Sequence, residues 1–219
     1  MSREEKLDGA LRSKGGRPRG FDRDQALTLA LDVFWRRGYE LASVAELCGA
    51  MGINPPSLYA AFGNKAKLFL EAVDFYEHRY WDATWKALDA EPCIYRAIAD
   101  FFDASARILL SPQAPCGCLV ALAAVNVSDD SVEVKQAIEA LRREGKALFV
   151  KRLKRAMKEG QLPARTDAKS LAGALNTLLE GLSIQARDGL SIAEMRRLAA
   201  HAVRLLPGNE HGETSHHDK

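Results

Sequence analysis

The chain of 219 residues is predicted to be all-α, with about nine helices. Apolar residues recur at three- and four-residue spacing in one segment after another, which places them on single helix faces. No period-two alternation of useful length occurs, so strands are not expected. Between the periodic segments stand Gly, Pro, Asn, Asp and Ser residues of the kind that stop and cap helices. The composition, 47% hydrophobic and 27% charged, is that of a globular protein. No segment approaches the ~20 uninterrupted apolar residues needed to span a bilayer. The N-terminus has no apolar core of the signal-peptide kind, so a cytoplasmic protein with no membrane partner is expected.

Residues 1–20 read as a flexible basic arm. Arg12–Gly20 carries four basic residues and no acid, among glycines and a proline that discourage regular structure. The net charge of +2 is too small to imply nucleic acid by itself, so this local run matters more. Its Arg17-Pro18-Arg19 resembles the core of minor-groove AT-hooks, and DNA contact by Arg17 and Arg19 is one reading. A solvated tail is the other.

Residues 21–67 are expected to form a three-helix, helix-turn-helix domain. Asp22 is placed to cap a first helix whose stripe is Leu27, Ala30, Leu31 and Phe34, and Gly38 stops it. Arg36 and Arg37 suit the negative end of that helix dipole. Ser43 caps the next helix, where Val44, Leu47, Cys48 and Met51 share a face. After Gly52-Ile53, Asn54 caps a second short helix with Leu58 and Phe62 on its buried side. Two short helices around a glycine-containing turn form the unit whose second helix enters a DNA major groove. That helix starts with Pro55 and Pro56, tolerated in a first turn whose amides lack helical partners. With Ala60 and Ala61 it offers mostly apolar groups, plus Ser57, for base readout. Direct hydrogen-bonded readout is therefore expected to be modest, with shape and arm contacts carrying more of the specificity.

Residues 68–206 are assigned to a regulatory and dimerisation domain. Lys65–Leu88 reads as one unbroken helix through Leu68, Phe69, Ala72, Val73, Tyr76 and Tyr80, rigid enough to couple the two parts. Cys93–Leu110, a short apolar helix over Cys118–Val127, and a long helix from Ser128 to about Glu159 follow. Asp167–Arg187 and Ser191–Leu205 complete the set. Their stripes, with Leu171, Leu175, Leu178 and Leu182 on one and Met195, Leu198 and Ala202 on the other, could face the core or a symmetry mate. A homodimer through these helices is preferred, because two linked readers engage two half-sites at once. Residues 207–219, with His211, His216 and His217, read as a disordered tail.

The run from Phe21 to Phe69 resembles the N-terminal domain of TetR-type transcriptional regulators. Gly38-Tyr39, Ser43-Val44, Leu47-Cys48, Met51-Gly52-Ile53-Asn54, Ser57-Leu58-Tyr59 and Phe62-Gly63-Asn64-Lys65 carry the likeness. The resemblance implies a dimeric repressor that leaves a palindromic double-stranded operator when the C-terminal domain meets a small effector. It also implies phosphate contacts by Ser43, Tyr59 and Lys65. A weaker likeness at Gly117-Cys118-Leu119 is to a branch that includes thiol-based sensors.

Two kinds of signal are compatible with the C-terminal half. Cys116 and Cys118, at the start of a helix, could be thiols activated by the helix dipole, with Cys116 the more exposed. They could equally be structural, or join Cys93 around a soft ion such as Cu(I). The alternative is an apolar effector lodged among Trp81, Trp85, Phe101, Phe102 and Phe149. A thiol oxidoreductase using Cys116 and Cys118 is the enzymatic alternative, but neither His78 nor His201 is linked to the thiols as a base. There is no phosphate-cradling glycine motif and no His-Glu metal constellation, so no cofactor, catalytic group or resident metal is assigned.

Overall fold

The computed structural model describes residues 21–208; the arm with Arg17 and Arg19 and the histidines of the tail lie outside that span. Ten α-helices occur among the described residues and no strand. The first four are α1 (Arg23–Leu41), α2 (Val44–Met51), α3 (Pro55–Phe62) and α4 (Lys65–Tyr76). Then come α5 (Asp82–Ala90), α6 (Ile94–Leu109), α7 (Leu119–Leu122), α8 (Val132–Lys158), α9 (Ala168–Arg187) and α10 (Ile192–Ala199). Because α4 and α5 are joined by a π-helical turn, Glu77–Trp81, they form one rod and the rods number nine. The unbroken helix expected over Lys65–Leu88 is thus continuous in direction but changes its winding midway.

The caps of the N-terminal helices are those the sequence offers. Asp22 accepts from the amides of Asp24 and Gln25, and Ser43 from that of Glu46. Asn54 accepts from Ser57 N–H at 2.9 Å and Asn64 from Lys67 N–H at 2.7 Å. Gly52 closes α2 at φ 66°, a left-handed turn that glycine enters without penalty. Leu47, Leu58, Phe34, Leu68 and Phe69 are fully covered, so α1, α2, α3 and α4 share one core. Arg23 fastens the corner: it pairs with Glu71 of α4 and lies 4.7 Å over the Phe62 ring of α3.

The helix expected over Cys118–Val127 is only α7, four residues long. Its carbonyls are taken by other elements instead of continuing the spiral. Ala123 O accepts from Tyr39 N–H at 2.8 Å, while Arg142 holds Val120 O and Ala121 O, each at 3.1 Å. A carbonyl so occupied at Ala123 leaves no incentive for a further turn.

The C-terminal core is an aromatic stack. Trp85 lies 4.5 Å from Phe101 and 5.2 Å edge-on to Phe149, and Phe102 stacks on Phe149. Leu175, Leu182, Met195 and Ala202 are buried in this same chain, so these four of the seven residues assigned to a partner contact face their own core. A stripe's width reveals that a helix has an apolar face, not which apolar surface meets it.

Candidate functional site

The exposed side of α3 carries Pro55, Pro56, Tyr59 and Ala60, with Ser57 half-covered by its amide's bond to Asn54. These groups stand on a helix held from behind by Leu58 and Phe62, which are 0% and 3% exposed. Ser43, also exposed, spends its oxygen on the α2 cap and leaves its hydroxyl proton outward. Lys65 is less free than the sequence implies. Its ammonium lies 4.3 Å over the Tyr39 ring and 3.3 Å from Glu40 O, and burial lowers its pKa. It fastens α4 to the end of α1 in addition to any role at phosphate. Arg37 is likewise paired, with Glu46 at 3.0 Å.

Behind this face, the segment from Leu110 to Ser131 is locked to α1. Trp35 Nε1–H donates to Gly117 O at 3.0 Å across 82 residues of sequence. Tyr39 N–H reaches Ala123 O, and Ser128 N–H donates to the Glu40 carboxylate at 2.7 Å. Arg187 of α9 donates to Trp35 O at 2.5 Å. Gly117, at φ 86°, is where the loop passes closest: an added Cβ would stand 2.6 Å from Leu122 and 2.8 Å from Ser183 O. The glycine therefore serves the approach to α9, not the closeness of two sulfurs.

Cys118 is the residue whose chemistry departs most from expectation. Tyr76 is buried beside Cys118; its oxygen accepts from Trp81 Nε1–H at 2.6 Å and Leu119 N–H at 3.3 Å. Burial pushes the Cys118 thiol up to about 11, outweighing the opposing influence of Tyr76 and of nearby amides. The dipole of a four-residue helix is too weak to reverse that, so Cys118 is a neutral thiol at pH 7. Cys116 is exposed, Cys93 half-buried, and Cys48 packed within the N-terminal core. Among the described residues no group of three or more His, Cys, Asp or Glu side chains could hold a metal.

Cys118 also lines a cavity of about 490 Å³ bounded by the α4–α5 rod, α8 and α9. Trp81 and Trp85 contribute to its wall. Phe101, Phe102 and Phe149, expected beside them, lie behind in the core and do not reach it. Glu77, Glu144 and Glu180, which sequence reasoning passed over, line it instead. Glu77 could have been noticed, since it falls four residues after Val73 on the core-facing stripe. Burial, then Asp82 and Glu144, raises its carboxyl to about 7.

On the outside of the last two helices, Ile184, Ile192, Leu198 and Leu205 are 40–53% exposed, with Leu171 and Leu178 partly covered. Four of the large exposed apolar side chains thus sit on α9, α10 and the 3-10 turn Ala200–Leu205 that follows.

Comparison with known proteins agrees with this architecture. Residues 26–72 match bacterial regulatory proteins of the tetR family, and residues 95–202 match the tetracyclin repressor-like C-terminal domain. The chain is 34% identical over 193 residues to the HTH-type transcriptional repressor ComR of Escherichia coli (strain K12), covering 88% of this chain and 92% of that protein. It is 30% identical to the repressor BdcR of the same strain over 85% of this chain and 90% of the relative. A cysteine mutant of the TetR family regulator CifR, complexed with 26bp double-strand operator DNA, is 42% identical with a TM-score of 0.82. That likeness spans 86% of this chain and 98% of the other. These relatives are regulators, not oxidoreductases, so they lend the enzymatic alternative no support. With both characteristic domains matched in order and relatives aligned along nearly their whole length, the chain belongs to the TetR family of transcriptional regulators.

Proposed function

We propose that the protein is a cytoplasmic, homodimeric repressor that reads a palindromic operator with α3 and lets go when an effector occupies the C-terminal cavity. The observation that carries this reading is the clamp between Trp35 and Tyr39 of α1 and the Gly117–Ala123 segment, whose Cys118 and Val120 line the cavity. Any ligand that displaces this segment also pulls on the helix against which α2 and α4 pack. In support, the 42%-identical CifR structures hold operator DNA and the ComR and BdcR relatives are repressors. Ser43, Tyr59 and Lys65 would meet phosphates, while Pro55, Pro56 and Ser57 would face bases and the arm's Arg17 and Arg19 the minor groove. The dimer would form through Leu171, Leu178 and Leu198 with Ile184, Ile192 and Leu205.

Selection of bound duplexes from a random pool, followed by anisotropy titration at fixed salt, tests the reading. An inverted-repeat site bound far more tightly than scrambled DNA is expected. Equal affinity for both would refute sequence-specific repression. Exposed Cys116 favours a second signal, thiol modification on the same loop. Release of the operator by an oxidant in the parent protein and not in Cys116→Ser would identify it.

A further inference from the structure

The polar groups around the cavity are unevenly matched. Three of its acids have cations: Asp74 has His78, Asp82 has Lys86 at 3.3 Å, and Asp89 has Lys151 at 3.0 Å. Arg142, which also lines the cavity, gives Nε–H and one Nη–H to the carbonyls of Val120 and Ala121. That leaves Glu77, Glu144 and Glu180 in no direct ion pair among the described residues: only His78, when protonated, favours the ionised Glu77, and Glu180 accepts from the neutral Asn176 amide at 2.9 Å. Glu77 sits on the π-helical turn and Glu144 and Glu180 on α8 and α9, so the three come from separate walls. Trp81 and Trp85, with ring centroids 6.4 Å apart, stand beside them. Gly145 keeps α8 thin where it faces Trp85 and Asn176: an added Cβ there would lie about 3.5 Å from the indole.

We infer that this cavity takes an organic monocation with an apolar body, its charge among Glu77, Glu144 and Glu180 and its body against Trp81 and Trp85. The inference rests on the effector reading of the cavity and adds the ligand's chemical class. Glu77 is desolvated and repelled by Asp82 and by Glu144, which is itself exposed, so its carboxylate gains from a cation what it lacks from the protein. Indole faces attract the same charge through their quadrupole, an attraction that grows when water is excluded. A neutral ligand of the same shape would collect only the apolar contact. An anion would face three carboxylates with Arg142 already engaged.

The test uses the full chain and three probes: benzyltrimethylammonium, its uncharged carbon analogue neopentylbenzene, and phenylacetate. Binding is followed by quenching of tryptophan fluorescence and by calorimetry. The cation is expected to bind about tenfold or more tightly than the uncharged analogue. Glu77→Gln with Glu180→Gln should remove most of that preference while leaving the uncharged probe unchanged. Glu77→Gln relieves repulsion and Glu180→Gln keeps an acceptor for the Asn176 amide, so the variant is expected to fold. Gly145→Phe, which fills the space, should weaken cation and analogue alike. Equal or tighter binding of neopentylbenzene, or tighter binding of phenylacetate, would overturn the cationic assignment and leave the cavity a ligand site of another class. If no probe bound and Gly145→Phe changed nothing, the cavity itself would fail as an effector site, and the inference with it.

Discussion

Arg152 is 1% exposed in the middle of α8, a placement that a charged residue reaches only with partners. Its Nε–H donates to Leu88 O at 3.1 Å, and Nη2 donates to Glu91 O and Pro92 O at 2.9 and 3.0 Å. It thus satisfies the carbonyls that α5 leaves open where Pro92 breaks the chain. Arg152→Ala would strand these acceptors and open a cavity, and a loss of about 3 kcal/mol in urea unfolding is expected. Glu77 makes an opposite, pH-dependent contribution. Around it stand Asp74, His78 and Asp82 of its own rod, Arg142 and Glu144 of α8, Glu180 of α9, and Cys118 of the loop. In the unfolded chain it would ionise near 4.5, whereas folded it holds its proton to about 7. Folding therefore binds a proton between these values, and stability falls as pH rises through that window. Glu77→Gln should melt above the parent protein at pH 8, with the gap closing near pH 4.5. A gap of the same size at both pH values would assign the effect to packing instead.

At the scale of elements, α3 is specified locally and the sensor loop is not. Asn54, Pro55 and Pro56 start α3, Gly63 ends it, and Leu58 with Phe62 turns one side inward. All of that is legible in the ten residues from Asn54 to Gly63. By contrast, nothing near Cys118 announces that Tyr39, Arg142 and Tyr76 will take up the groups of its segment, so the expected ten-residue helix shrinks to one turn. The same loop supplies a test of the coupling. Gly117→Ala introduces a Cβ at φ 86° against Leu122 and the backbone of Ser183. A destabilisation of about 2 kcal/mol or more in urea unfolding is expected from strain and overpacking. Operator affinity measured on the folded variant should shift as well, because the displaced Gly117 carbonyl is the acceptor of the Trp35 indole. An unchanged affinity would show that the clamp carries no signal.

For the whole molecule, the exposed apolar residues of α9, α10 and the 3-10 turn after it set the remaining question of assembly. Leu198 is 40% exposed and Ile184 53% exposed, yet their neighbours Met195 and Leu182 are almost completely covered within the chain. Leu198→Glu with Ile184→Glu should leave the monomer fold intact while placing charge in the proposed dimer contact. Sedimentation is expected to show a monomer, and operator affinity to fall by orders of magnitude as one of the two half-site readers is lost. A variant that remains dimeric would move the interface elsewhere.

By itself, the sequence determines the all-α class, the helix-turn-helix with its caps, and the order of the rods, because those follow from periodicity and from residues adjacent in the chain. It also singles out Trp81 and Trp85 as cavity-facing candidates, though together with three phenylalanines that the core absorbs. Only the tertiary structure decides which side of each apolar stripe is outside, since a leucine's hydrophobicity is the same against its own core or a partner's. The cavity and the grouping of Glu77 with Glu144 and Glu180 depend on what α8 and α9 bring from more than sixty residues away, and the neutral Cys118 thiol depends on burial beside Tyr76 of α4. Burial, and the meeting of charges from separate helices, belongs to the assembled molecule and to no single segment.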